Sequence, residues 1–275
     1  MKINFFCPRW GNEDEKWDTF SKKVKAAGYD GIETAISIDT SETSEMISSF
    51  RKYNFLYIGQ YYQSVEQNFV QNRTNYIRHL KAIILTKPIK IDSQTGKDYF
   101  TFAENKQLFN IAEKLAEQSG IPILHETHRN KALFSAHTTK FFLQKLPNLS
   151  ITADFSHWCT VAESLLEDQQ DAIDIACLHS LHIHARIGYA QGPQVNDPRA
   201  SEWKVQLCKH LEWWDKIIYN QKRKGAKYLT ITPEFGPMPY MQSLPYTQTP
   251  IANSWDINLY ILDLLKKRYA NLEHF

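Results

Sequence analysis

Short apolar runs alternate with segments of helical periodicity along the whole chain. The first apolar run, KINFFC, occupies residues 2–7. After it, Trp17, Phe20 and Val24 share one stripe of a predicted helix that Gly28 closes. Strand side chains alternate between two faces, whereas helical ones recur every three to four residues, so the two patterns are distinguishable. Eight runs predict strands, at 2–7, 29–35, 55–62, 88–92, 121–127, 149–155, 180–187 and 227–235.

Each predicted strand is followed by a predicted helix. The helices are expected at about 15–28, 41–53, 65–82, 101–120, 136–146, 160–178, 203–223 and 255–270. Three segments repeat one pattern, in which a glycine ends a helix and a strand then runs to a glutamate: AAGYDGIE, QSGIPILHE and KGAKYLTITPE. Eight such units predict an α/β fold, a single-domain (β/α)8 TIM barrel over residues 1–275. A doubly wound open sheet is the alternative, but no glycine-rich phosphate-binding motif follows the first strand.

Two connections are long for such a barrel. Residues 188–202 follow the seventh predicted strand, and residues 236–254 follow the eighth. Long connections in compact domains are usually functional or disordered. Both segments are rich in proline and tyrosine and low in charge, so we expect ordered lids over the site.

Composition and charge favour a small-molecule ligand. The 275 residues carry a net charge of +2 without a long run of one sign, which gives no support to nucleic acid or a membrane surface as a partner. No apolar run of spanning length and no signal peptide is visible. The four cysteines are far apart and form no CxxC motif, so a zinc cluster or a disulfide framework is not expected. We therefore expect a reduced cytoplasmic protein and leave a homo-oligomer open.

Polar side chains collect where the last four predicted strands end, which is the catalytic face of a TIM barrel. The segment HIHARIG (182–188), read as a strand, sends His182, His184 and Arg186 to one face. Of the two histidines, His184 is nearer the carboxyl end and is expected at the rim, with His182 deeper. The neighbouring strands end in HETHR, ADFSHW and PEF. Four successive strands thus each supply one candidate metal ligand: Glu126, Asp154, His184 and Glu234.

Three carboxylates and an imidazole in one cavity would repel each other and be costly to desolvate, and a divalent cation removes that cost. Mostly oxygen ligands with one nitrogen suit Mn²⁺, Mg²⁺ or Co²⁺, and Zn²⁺ stays open. Such an ion could polarise a substrate carbonyl. Glu126 and Glu234 are the expected catalytic pair, because two carboxylates on either side of a carbon could remove a proton and return it.

The motifs HETHR, ADFSHW, HIHAR and TPEFGP, in this order and spacing, resemble the xylose-isomerase-like sugar isomerase/epimerase superfamily. The resemblance covers essentially the whole chain, with the D-tagatose 3-epimerase type as the nearest functional template. It implies one divalent metal bound by the Glu, Asp, His and Glu named above. It also implies substrate contacts by His157, which follows Asp154 in an Asp-x-x-His step, and by Arg186. The following segment, GYAQGPQV, departs from the epimerase pattern.

Further candidates near the rim each have two interpretations. His128 and Arg129 could contact substrate or lie on a solvated loop. Trp10 and Trp158 could stack on a sugar or pack in the core. We include His128 and Trp158 among the expected substrate contacts. Glu33 is expected to be a structural or substrate-facing residue rather than a ligand.

Four functions follow as hypotheses. The first is a metal-dependent isomerase or epimerase of a sugar, sugar acid or polyol. A dehydratase on the same scaffold would expel a hydroxyl from the adjacent carbon instead of reprotonating. A non-catalytic sugar-binding barrel is the third. A related branch of the superfamily cleaves DNA at abasic sites with three metals, and this would require histidines at strand ends that here offer only Glu33 and Asp92.

Overall fold

A computed structural model describes residues 1–38 and 40–271, and these residues form one closed barrel. Its strands are parallel and follow chain order, with the first paired to the last. The predicted (β/α)8 barrel is therefore confirmed. The strands are β1 (Lys2–Pro8), β2 (Gly31–Ala35), β3 (Leu56–Tyr61), β4 (Lys90–Ser93), β5 (Ile123–Glu126), β6 (Ile151–Ala153), β7 (Ser180–His184) and β8 (Tyr228–Thr232).

The helices surround the barrel. They are α1 (Trp17–Ala26), α2 (Thr40–Tyr53), α3 (Phe69–Thr86), α4 (Phe102–Ser119), α5 (Ala136–Lys145), α6 (Ser156–Ala162), α7 (Gln170–His179), α8 (Lys204–Arg223) and α9 (Ser254–Arg268). Helix α3 begins four residues later than predicted, because the Asn68 side chain accepts hydrogen bonds from the Val70 and Gln71 amides and caps it there.

One prediction about the helices was wrong. The single helix expected at 160–178 is two helices, α6 and α7, and α6 begins directly after β6. Between them, Glu163 and Leu166 have left-handed backbone angles, with φ of 49° and 61°. The Leu166 side chain is buried there, and its amide donates to the Ser164 hydroxyl at 3.2 Å. Apolar spacing predicted the helical segments but carried no signal for this turn.

The interior of the barrel is polar near its carboxyl end. The register pairs His182 with Thr230 and His184 with Thr232 across β7 and β8. All four side chains are completely buried. TIM-barrel interiors are usually filled by branched apolar residues. Here apolar side chains instead form the layer between strands and helices, and polar groups occupy the space below the catalytic face.

The two long connections contact each other above the barrel. The Gly236 amide donates to Gln194 Oε1 at 2.8 Å, and Gln194 Nε2 donates to the Gly236 carbonyl at 3.1 Å. A Cβ atom at Gly236 would lie 2.0 Å from the Trp10 ring, so only glycine fits at this position. These contacts join the middle of the first segment to the start of the second beside Trp10. None of the helices within residues 1–38 and 40–271 is both long enough and apolar enough to cross a bilayer.

Candidate metal centre

The four predicted ligands converge at the carboxyl end of the barrel. Glu126, Asp154, His184 and Glu234 each offer an atom, and all four atoms lie within 4.8 Å of one another. Each of the four side chains is buried. Parallel strands that end at one rim bring these residues together although 108 positions separate Glu126 from Glu234.

Several atoms of this cluster are buried without a partner. Glu126 Oε2, His184 Nδ1 and Glu234 Oε2 make no hydrogen bond of ordinary geometry with the described residues. His184 Nδ1 lies 2.9 Å from Glu234 Oε2 and 3.6 Å from Glu126 Oε1. Buried polar atoms are nearly always satisfied, so orphaned atoms at one point call for a missing group. Ligand atoms that each lie roughly 2.0–2.6 Å from one cation are separated from one another by distances similar to those within this cluster. The three carboxylates and one imidazole therefore fit a divalent ion.

Glu33, in the middle of β2, orients the candidate ligand His184. Its Oε1 lies 3.1 Å from His184 Nε2, and its Oε2 lies 3.1 Å from His182 Nε2. The Thr232 hydroxyl also donates to Glu33. Burial alone would raise the pKa of Glu33, but the two histidines hold it below its ordinary value. A carboxylate that accepts from Nε2 leaves His184 Nδ1 free to bind an ion. His182, expected deeper in the barrel than His184, contacts Glu33 and acts on His184 through that carboxylate.

Asp154 follows β6 and is engaged at both oxygens. Its Oδ1 accepts from the Ser156 amide at 3.2 Å and from the Ser156 hydroxyl, and its Oδ2 accepts from Arg186 Nη2. Burial raises the pKa of Asp154 to about 6, although Arg186 opposes the shift. Arg186 Nη2 also lies 2.9 Å from His157 Nε2 and 3.5 Å from Glu234 Oε2. Arg186, for which the resemblance implied a substrate contact, thus also forms a buried ion pair with Asp154.

The pKa values within the cluster follow from burial and mutual charge. Burial would raise the pKa of Glu126, but His128, His184 and Arg186 together lower it to about 2. Burial would lower the pKa of His184, but Glu234 and Glu33 raise it well above its ordinary value. The negative charge of the carboxylates therefore favours a cation at this position.

Asp92, at the end of β4, is a part of the site that the sequence did not single out as a ligand. Its Oδ2 lies 3.9 Å from His184 Nε2. Burial and the neighbouring Glu126 carboxylate raise its pKa well above the ordinary value. The neutral acid is therefore favoured, which avoids a further negative charge beside Glu126 and Glu33.

A cavity of about 630 Å³ opens from the cluster to the surface. Glu126 and Glu234 line its inner end together with His128 and Arg186. This volume lies within the usual range for small-molecule sites. Sequence reasoning missed much of the remaining wall, which includes Gln60, Gln63, Gln94, Trp17, Tyr62 and Tyr240. The glutamines lie within two residues of the ends of β3 and β4, so nearness to a strand end was the signal that could have found them.

Tyr240 comes from the connection after β8 and covers the inner cavity. Its hydroxyl lies 3.3 Å from His128 Nε2. Its ring lies 4.8 Å from the Arg186 guanidinium carbon and meets the Trp10 ring edge-on at 5.0 Å between centroids. Trp10, one of the two tryptophans considered for sugar stacking, lines the cavity.

Trp158 does not lie where a substrate contact requires. It is fully buried, stacks on Phe155 at 4.6 Å between centroids, and donates from Nε1 to the Leu133 carbonyl at 3.0 Å. The prediction that Trp158 contacts substrate was therefore wrong, and Trp158 is a core residue. The reason is that α6 begins directly after β6 and directs this side chain into the protein. His157 is also completely buried, and its ring centroid lies 3.8 Å from that of His128.

Neither a family model nor a curated protein sequence matches the chain, whereas solved structures do. One is a probable 3-DHS dehydratase of petrobactin synthesis from Bacillus anthracis, with 18% identity, TM-score 0.60 and coverage of 97% of this chain and 99% of that one. A 3-keto-D-glucoside 4-epimerase from E. coli matches at 13% identity and TM-score 0.55, with the same coverage. A sugar phosphate isomerase/epimerase from Parabacteroides distasonis matches at 11% identity and TM-score 0.54, over 86% of this chain and 88% of that one. At identities this low the matches show a shared fold, which agrees with the predicted single-domain (β/α)8 barrel.

Proposed function

We propose that this protein is a divalent-metal-dependent isomerase or epimerase of a sugar, sugar acid or polyol. The observation that carries the proposal is the convergence of Glu126, Asp154, His184 and Glu234 at the inner end of an open cavity. The orphaned atoms of Glu126, His184 and Glu234, with the Asp154 carboxylate beside them, fit Mn²⁺, Mg²⁺ or Co²⁺, with Zn²⁺ also accommodated. The named activities of two fold neighbours, a glucoside epimerase and a sugar phosphate isomerase/epimerase, agree with this chemistry.

The ion would polarise a carbonyl of the substrate and so acidify the neighbouring C–H bond. Glu126 and Glu234 are the groups that would remove and return the proton, because both line the cavity and carry a free carboxylate oxygen. Gln60 Nε2 donates to Glu234 Oε1 at 3.3 Å, and this hydrogen bond holds the carboxylate in place. The other oxygen, Oε2, takes no part in it. Arg186 and His128 would bind substrate hydroxyl groups from the cavity wall.

The outer cavity suits a polyhydroxylated ligand. Side-chain amides of Gln63 and Gln94 can both donate to and accept from hydroxyl groups. The rings of Trp10, Trp17 and Tyr62 supply apolar faces along the same wall, and such faces pack against the C–H surface of a sugar. A small-molecule carbohydrate is therefore the proposed partner.

A dehydratase is the second candidate, and Tyr240 is the observation that favours it. The phenol reaches the inner cavity and lies 3.3 Å from His128 Nε2, so the pair could protonate a departing hydroxyl group. The neighbour with the highest TM-score among those described is a probable dehydratase. Proton abstraction by a glutamate is the first step in both candidates.

Two measurements test the proposal. Elemental analysis of the purified protein is expected to show one divalent metal per chain, removable by a chelator. Incubation in D₂O with a panel of ketoses, inososes and sugar acids is expected to show deuterium at a carbon next to a carbonyl. Net conversion to an epimer or isomer supports the first candidate, and loss of water supports the second.

Glu234→Gln removes one proposed base and ligand while keeping the shape of the side chain. It is expected to abolish deuterium exchange. Glu117→Gln, on the exposed face of α4, is the matched control and is expected to exchange at the wild-type rate. Full exchange by Glu234→Gln, or a wild-type protein that binds no divalent metal, would refute the proposed function.

A further inference from the structure

A chain of polar side chains crosses the barrel interior beneath the metal centre. It starts at Lys90, the first residue of β4, which is 4% exposed. Lys90 Nζ donates to the Leu181 carbonyl at 2.8 Å and to Thr230 Oγ1 at 2.9 Å. A buried lysine here is not required for packing, because barrel interiors are ordinarily apolar. It also does not line the cavity described above.

The chain continues from Thr230 to the candidate ligand. Thr230 Oγ1 lies 2.7 Å from His182 Nδ1, and His182 Nε2 lies 3.1 Å from Glu33 Oε2. The other oxygen of Glu33 lies 3.1 Å from His184 Nε2. Four contacts thus connect Lys90 to the histidine whose Nδ1 belongs to the cluster.

While Lys90 is present, the donors along this chain can all point from Lys90 toward Glu33. In either protonation state its nitrogen carries enough N–H groups to donate to both the Leu181 carbonyl and Thr230 Oγ1. A hydroxyl group that accepts from Lys90 keeps its own hydrogen for His182 Nδ1. A neutral His182 then carries its proton on Nε2, where the Glu33 carboxylate accepts it. Glu33 is in turn held beside His184 Nε2.

A competing arrangement exists at His182. The Thr230 carbonyl lies 3.0 Å from the same Nδ1 and would accept a hydrogen bond from the other tautomer. That tautomer turns an unprotonated Nε2 toward Glu33, so two acceptors would face each other. Glu33 on one side of the ring and the Thr230 carbonyl on the other favour opposite tautomers, and the Thr230 hydroxyl, whose other partner is Lys90, tips the balance when it donates to Nδ1.

We propose that Lys90 is a positioning residue that selects the Nε2–H tautomer of His182 and, through Glu33, keeps His184 Nδ1 available to a divalent ion. Its effect on metal binding rests on the proposed function, whereas its effect on the tautomer does not. Lys90 touches neither the candidate ligands nor the cavity, and it acts through three intervening side chains.

Histidine ring ¹⁵N chemical shifts in the metal-free protein test the first half. Lys90→Met removes the donor at similar length, and Thr230→Val removes the hydroxyl while keeping the shape, so one variant can replace the other if it does not fold. His182, assigned by its absence in His182→Asn, is expected as Nε2–H in the wild type and as Nδ1–H in both variants. Lys131→Met is the matched control, since Lys131 is also buried and donates to a backbone carbonyl, that of Ser64.

Two results decide the proposal. An Nε2–H tautomer retained in Lys90→Met or Thr230→Val overturns it, as does the same shift in Lys131→Met, which would indicate general loosening of the barrel. Calorimetric titration with Mn²⁺ alone is expected to show about tenfold weaker binding for Lys90→Met, the lower end for groups that support a ligand. Unchanged affinity overturns the second half. A wild type that binds no Mn²⁺ instead refutes the proposed function and leaves the tautomer result to decide the role of Lys90.

Discussion

Glu33→Gln perturbs the metal centre without altering a proposed ligand. The carboxylate accepts from His182, His184 and Thr232, whereas a carboxamide keeps one acceptor oxygen and replaces the other with an NH₂ donor. The new donor must face an imidazole nitrogen about 3.1 Å away. If it faces His184, the ring avoids two opposed donors only by moving its proton to Nδ1, the nitrogen that an ion requires. If it faces His182, the NH₂ group and the Nε2–H group of His182 are two opposed donors. His182 then no longer holds the side chain at position 33 in place.

The expected loss follows from this geometry. Groups that orient a metal ligand typically contribute 10–100-fold to affinity, which corresponds to about 1.4–2.8 kcal/mol. We expect Glu33→Gln to weaken Mn²⁺ binding by this amount at neutral pH, because all four ligand side chains remain but one is wrongly oriented. The fold should persist, since the two side chains have the same shape.

Calorimetric titration with Mn²⁺, with circular dichroism to verify folding, measures the effect. Glu117→Gln is the control for a glutamate lost from the surface of α4. Affinity within about twofold of the wild type would refute the reasoning and show that Glu33 does not orient His184. If affinity is unchanged but deuterium exchange is lost, Glu33 is a substrate-facing residue, which is the other role that the sequence allowed.

Three further outcomes are expected. Burial lowers the pKa of Lys90 from 10.5 to about 7. The unfolded chain then binds more protons between these values, so folded stability should rise with pH across that window, and thermal melts of Lys90→Met should lack this part of the rise. Metal binding should weaken as pH falls, because His184, whose pKa is raised, must lose its proton to bind an ion, and Mn²⁺ titrations at several pH values measure this. Gly236→Ala places a Cβ 2.0 Å from the Trp10 ring and should cost about 1–3 kcal/mol in urea unfolding, with an unchanged midpoint contradicting the close approach.

The convergence of residues at the strand ends could be predicted, because a single rule of barrel topology places them together. Glu126, Asp154 and Glu234 close apolar runs, and in a barrel all such ends meet at one rim. The choice of His184 over His182 followed from position along one strand face. These inferences needed only local periodicity and the closure of the barrel.

Other features depend on contacts that no local pattern encodes. Tyr240 reaches the cavity from an irregular connection, so its sequence position gives no direction for its ring. The role of Glu33 depends on side chains about 150 and 199 positions away. Trp158 follows a strand end at a distance that would also suit a substrate-facing residue, and the early start of α6 places it in the core. The missed features are therefore those set by tertiary packing.

The polar barrel interior links these observations. A buried lysine, two histidines and the Glu33 carboxylate replace apolar side chains that would stabilise a barrel more. Within this group each member reaches the next at hydrogen-bond distance, and the series ends at His184 Nδ1, which is left without a hydrogen bond among the described residues. The side chains inside this network have hydrogen-bond partners, whereas its last atom has none. We expect this arrangement where a network supports a bound ion. Stability alone would favour removing the whole network, whereas the proposed ion site would use each of its contacts.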